Sequence, residues 1–151
     1  MTKPFSFELN SKDITKALNK AAKETGNLEA AFKIARQKLL YAIDENFETE
    51  GQFSGERFRE WSDDYAKYRS KKGRGQGKIL QLEGYLRKSL TSKISRYELI
   101  IGTNKEYAAA QNFGYAPNNL EARPFMRISD TTRKEIAGAI EKDLMKRLGK
   151  I

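Results

Sequence analysis

The chain has 151 residues, with 29 basic and 20 acidic side chains, a formal net charge of +9, and neither cysteine nor histidine. The missing cysteines exclude disulfide frameworks, thiolate zinc sites, iron–sulfur clusters and cysteine nucleophiles. The missing histidines remove the commonest metal ligand and the side chain best suited to proton transfer near neutral pH. The length fits one domain, 1–151, that buries roughly 70% of its unfolded surface without staples. No enzyme activity and no cofactor or metal is expected.

The opening residues, Met1-Thr-Lys-Pro-Phe5, lack the apolar core of a signal peptide. No run approaches the ~20 apolar residues of a membrane-spanning helix. The expectation is a soluble product of the cytoplasm with no membrane partner. The charge is local. Residues 1–60 hold ten basic and ten acidic groups, 61–96 ten and three, and 97–151 nine and seven. Lys67, Arg69, Lys71, Lys72, Arg74 and Lys78 follow one another with no acid between Tyr65 and Lys78.

In chain order, Ser11 is placed to cap a first helix whose apolar stripe is Ile14, Leu18, Ala21 and Ala22. Gly26-Asn27 ends it, and Asn27 caps a second helix from Leu28 to about Phe47, with Leu28, Ala31, Phe32, Ala35, Leu39, Ile43 and Phe47 on one face. Ser62 reads as another cap, with Asp63 and Asp64 in the favourable first turn. The glycine-rich basic segment 70–78 reads as a mobile loop. A short helix or turn is expected from Gly84 to Leu90. Ile94 to Ile101 alternates like one strand, with an apolar end buried on both faces. A short helix is expected at Tyr107 to Gln111. Arg123 to Ile128 should be extended, because Pro124 biases Arg123 away from helix. Ser129 caps a last helix with Ile136, Ala137, Ile140, Leu144 and Leu148 inward. The fold class is α+β: two N-terminal helices, a small, mainly antiparallel sheet and a C-terminal helix.

The six cations of 67–78 are the candidate contacts to a partner or to DNA, since each lysine or arginine on a phosphate releases counterions and the interleaved Tyr65 and Tyr68 can stack on bases. A solvated loop accounts for the same charges without a ligand. A phosphate-binding loop needs Gly-Lys-Ser/Thr after a buried strand, whereas Gly77-Lys78 precedes Ile79. Of the paired carboxylates Asp44-Glu45, Asp63-Asp64 and Glu48/Glu50, the last falls where a helix ends and Asp63-Asp64 begin one, and no histidine or polar cluster completes a metal or glycosidase site. Trp61 reads as a core or interface anchor.

The order of landmarks resembles the phage virion morphogenesis family, the Mu-like tail-completion proteins of tailed phages and prophages. Phe47 and Gly51, Trp61-Ser62, Ile79-Leu80 and Leu82-x-Gly84-x-Leu86-x-x-Ser89 carry the first half of it. Gly102-Thr103, Tyr107-Ala108, Phe113-Gly114, Arg123-Pro124-Phe125 and Ser129 carry the second, and together they cover about residues 30 to 145. Family members often have histidine two residues before the Phe-Gly pair; Gln111 stands there instead. The proline often found before Trp61 is also missing. The resemblance implies a structural virion protein, made in the host bacterial cytoplasm, that completes the tail and joins it to the head. It would do so as a homo-oligomeric ring in the neck, among other neck and tail proteins and near DNA. It assigns structural roles to Trp61, Gly84, Leu86, Tyr107, Phe113, Gly114, Arg123, Pro124 and Phe125. The alternative is a small nucleic-acid-binding regulator that uses the 65–78 cluster directly.

Overall fold

A computed structural model describes residues 11–75 and 77–151. Gln76, inside the expected loop, lies outside that description. The elements are α1 (Lys12–Thr25), α2 (Glu29–Glu48), α3 (Asp63–Lys71), α4 (Tyr85–Lys88), β1 (Thr91–Ile94), β2 (Leu99–Gly102), α5 (Ala108–Phe113) and α6 (Asp130–Arg147). Short 3-10 turns occupy Gln52–Ser54 and Ala116–Asn118. Helices with a small antiparallel hairpin make the fold α+β. The described residues gather into two compact units. One holds Ile43–Leu90 and Thr103–Arg127; the other holds 11–42, Thr91–Gly102 and Ile128–Ile151.

The second unit is built by α1, the first part of α2 and α6. Ser11, Ser62 and Ser129 each place a side-chain oxygen on the amide three residues on, capping α1, α3 and α6 as their positions predict. Asn27 Oδ1 accepts from the Glu29 amide at 2.8 Å. The core of this unit is Ile14, Ala17 and Ala21 of α1, Ala31 and Ala35 of α2, and Ile136, Ala137, Ile140 and Leu144 of α6. Ala17 and Ala21, at i and i+4 on α1, let that helix approach α6 closely. The α1 stripe is rotated from the expected one: Ala17 is buried, Leu18 half-buried and Ala22 exposed.

The hairpin corrects the single-strand reading of Ile94 to Ile101. Thr91 pairs with Gly102 and Ile94 with Leu99, and the Ser95 amide donates to the Glu98 carbonyl at 2.8 Å to close the turn. Ser95 to Glu98 is therefore the bend, not mid-strand, and Ile100 is exposed rather than buried on both faces.

The first unit contains Phe47, Phe58, Ile79, Leu86, Ala108, Phe125 and Met126 as buried apolar groups. Phe47 and Phe125 pack with ring centroids 5.2 Å apart. Arg123 to Ile128 is not the extended run the proline suggests. The chain turns at Phe125–Met126, with the Arg127 amide on the Pro124 carbonyl at 3.2 Å. Two asparagines satisfy this turn in place of a strand partner. Buried Asn46 donates to the carbonyls of Phe125 and Arg127, both at 2.8 Å, and Asn112 Oδ1 accepts from the Met126 amide at 3.1 Å.

Candidate functional site: a groove braced by two arginines

The segment before α3 has no secondary structure of its own, so its backbone needs outside partners. Arg123 supplies them. Its Nε donates to the Arg59 carbonyl and its Nη2 to the Glu60 carbonyl, each at 2.8 Å, while Nη1 reaches Glu121 at 3.4 Å. Burial pulls this guanidinium below the usual arginine range. Next in sequence, Trp61 is covered by the Arg69 guanidinium, 4.1 Å from the ring centroid. Arg69 is 2% exposed. Its Nε donates to the Arg74 carbonyl at 3.0 Å and its Nη1 to Lys78 at 3.4 Å. A side chain at Gly77 would collide with this guanidinium, which is why the loop carries glycine there. The basic segment is thus folded around a buried cation.

That arrangement divides the six candidate contact residues. Arg69, expected among the exposed cations, is instead a buried brace. Arg74 is ion-paired with Glu83. Lys78 Nζ lies 2.6 Å from Glu48 Oε1 and 2.9 Å from the Glu48 carbonyl. Lys67, Lys71 and Lys72 remain exposed on α3 and just beyond it, with no carboxylate in ion-pair reach among the described residues. Lys72 Nζ lies 5.9 Å from the Tyr68 ring.

The C-terminal end of α2 carries a second polar network. Arg87 donates to Asp44 through Nε (2.6 Å) and Nη2 (2.9 Å), and through Nη1 to Glu48 (2.9 Å) and Gln81 (3.1 Å). The hydrogen bond from Arg87 holds Asp44 below the usual carboxylate range, and those from Lys78 and Arg87 do the same for Glu48. Arg87 is raised in turn, first by Asp44. Gln81 Nε2 donates to the Phe47 carbonyl at 2.8 Å, and Glu50 Oε2 accepts from the Ile79 amide at 3.0 Å. Side chains from 78–87 thereby occupy groups at the helix end that would otherwise lack partners.

Between these braces lies an open groove of about 760 Å³. Trp61, Gly84, Leu86, Tyr107 and Arg123 all line it, as does Gln111. These positions are dispersed over more than sixty residues of chain, and the fold brings them together. Tyr65, Tyr85 and Tyr107 put exposed rings at its edge. The other four residues given structural roles lie off its lining. Phe125 is core, Pro124 is half-buried, and Phe113 is exposed. Gly114, at φ +81°, lies against Leu120 and Ala122, so an added Cβ would sit 2.9 Å from the Leu120 carbonyl. Asn46, Asn112 and the Arg87 network were not singled out from sequence. Asn46 could have been, since it falls on the helical period of Ala35 and Ala42 among buried positions.

The sequence model of the phage virion morphogenesis family matches residues 9–145. The chain belongs to that family. It is also 29% identical over 147 residues, 91% of this chain and 94% of the other, to the "Putative capsid assembly protein G" of Escherichia phage Mu. No solved structure matches. As a member of the phage virion morphogenesis family, the protein serves in building the phage particle, among other virion proteins. No helix of the described residues is long and apolar enough to cross a membrane.

Proposed function

We propose that this protein is a structural component of the neck, completing the tail and joining it to the head as a homo-oligomeric ring. The observation that carries this reading is the convergence of Trp61, Gly84, Leu86, Tyr107 and Arg123 on one open groove edged by exposed tyrosines. Aromatic side chains are enriched at protein interfaces because they bury large area for few rotatable bonds. The two bracing arginines, Arg69 and Arg123, are occupied by backbone carbonyls, and no histidine or cysteine is present anywhere in the chain, so the reading assigns the groove no catalysis. Such a protein resides in the virion after synthesis in the host bacterial cytoplasm.

Particles assembled without it test this. Finished heads and finished tails that fail to join support the neck. A second reading, action in head assembly, is favoured by the name of the Mu relative, and it requires aberrant or missing heads instead. A duplex-binding regulator draws less support, because Arg69, Arg74 and Lys78 are engaged within the fold, leaving Lys67, Lys71 and Lys72 as the cations of the segment without an ion-pair partner among the described residues.

A further inference from the structure

Four side chains form a continuous ladder along α3. Buried Arg69 lies under Trp61. The Trp61 and Tyr65 rings meet edge to face, with centroids 6.1 Å apart and an interplanar angle of 78°. Tyr65 and Tyr68 then stack, 5.9 Å apart and inclined by only 24°. The outer two rings are exposed, 39% for Tyr65 and 49% for Tyr68. Beside them stand Lys67, Lys71 and Lys72, the three cations of this segment with no carboxylate or carbonyl partner among the described residues. Asp63 and Asp64, in the first turn of α3, lie at the opposite end of the helix from Lys71 and Lys72.

From this ladder we propose that the exposed face of α3 binds single-stranded nucleic acid, with Tyr68 and Tyr65 as a stacking platform and Lys67, Lys71 and Lys72 as phosphate contacts. A near-parallel pair of aromatic faces matches the flat π-surface that every unpaired base offers, independent of sequence. Tyr68 is the outermost ring of the ladder, and the flexible Lys72, 5.9 Å from it, can move from ring to phosphate. The buried Arg69–Trp61 end fixes the platform in advance, so little ordering is required on binding. Duplex DNA keeps its bases stacked on one another and would meet only the lysines. The site does not depend on where in the particle the protein acts.

Fluorescence anisotropy of the full chain with a labelled oligo-thymidylate and with a duplex of equal length, from 50 to 200 mM salt, tests it. The single strand should bind more tightly. Its log affinity should fall against log salt with a slope of about −2, as three phosphate contacts at roughly 0.7 each require. Tyr68→Ala should weaken binding by about five- to a hundredfold, while Tyr68→Phe, which keeps the ring, should bind as wild type. The triple change Lys67→Ser, Lys71→Ser, Lys72→Ser should flatten the salt slope, and circular dichroism should show all variants folded, since these side chains are exposed. The proposal is overturned by any of four results: no binding at 50 mM salt, equal or tighter binding of duplex, undiminished affinity in Tyr68→Ala, or displacement by polyglutamate as readily as by unlabelled oligonucleotide. The last would mark an acidic protein as the ligand. If Tyr68→Ala does not fold, the lysine variant and the polyglutamate competition decide the matter.

Discussion

The Arg69 guanidinium sits 4.1 Å above the centroid of Trp61, so the most buried cation of a basic segment is fixed by the chain's one tryptophan. This pairing stabilises two things together: the entry into α3, and the loop that returns through Arg74 and Lys78. Arg69→Ala removes the cation from the ring and takes one donor each from the Arg74 and Lys78 carbonyls, which keep the Gly77 and Gln81 amides, and it opens a cavity where a buried side chain stood. It should cost about 2–4 kcal/mol in urea unfolding, where surface lysine changes nearby cost under about 0.5 kcal/mol. Trp61→Ala should lose a similar amount or more. A double-mutant cycle between them should return a coupling of about 0.5–2 kcal/mol. Strict additivity would mean that the contact carries no weight.

Asn46 makes a sharper chemical test. Its amide nitrogen donates to the Phe125 and Arg127 carbonyls from inside the core. Asn46→Ala should destabilise the fold by about 2–4 kcal/mol, because it removes two hydrogen bonds from the buried turn. Asn46→Asp, nearly the same shape, should be worse at pH 7, because it sets a buried charge against two carbonyl oxygens. Protonation supplies one donor, so its deficit should shrink in acid. Equal melting temperatures for the two variants at pH 7 would contradict the assignment. Phe125→Ala, which opens a cavity beside Phe47, should cost about 3–5 kcal/mol.

The Arg87 network predicts a pH dependence whose sign is fixed. Asp44 and Glu48 have pKa values lowered in the folded protein. Their contribution is therefore complete above the ordinary carboxylate range, near pH 4–4.5, and is lost as pH falls through the lowered folded values. Arg87→Gln should remove part of that slope. Its stability curve should run closer to wild type in strong acid than at pH 7, because below the folded pKa values neither protein keeps the ion pairs. A constant offset between the two curves from pH 7 down to pH 2 would show that Arg87 acts through packing alone.

Much of the helical frame was legible because its signals are local. Ser11, Asn27, Ser62 and Ser129 cap where they stand, and Ile136, Ala137, Ile140 and Leu144 keep a helical period that the core confirms. The hairpin was not legible. Ile94 to Ile101 alternates without a break, and the turn Ser95-Arg96-Tyr97-Glu98 contains no glycine, proline or asparagine to announce it. Pro124 correctly kept Arg123 out of a helix, but the turn that follows is set by Asn46, seventy-nine residues from Phe125. Local sequence carries no sign of such a partner. Charge counting failed at Arg69 for a related reason: a guanidinium can be satisfied by carbonyls and a ring, so an arginine in a basic run need not face solvent. Nine of the landmarks that pointed to the family line the groove: Trp61, Ser62, Ile79, Leu80, Leu82, Gly84, Leu86, Tyr107 and Arg123.

The central claim is a role in joining head to tail, and electron microscopy of lysates from a phage unable to make this protein tests it most directly. The account predicts DNA-filled heads beside full-length tails, with few joined particles, and joining restored when the protein is supplied from a plasmid. Absent, misshapen or empty heads in those lysates would contradict it and place the protein in capsid assembly.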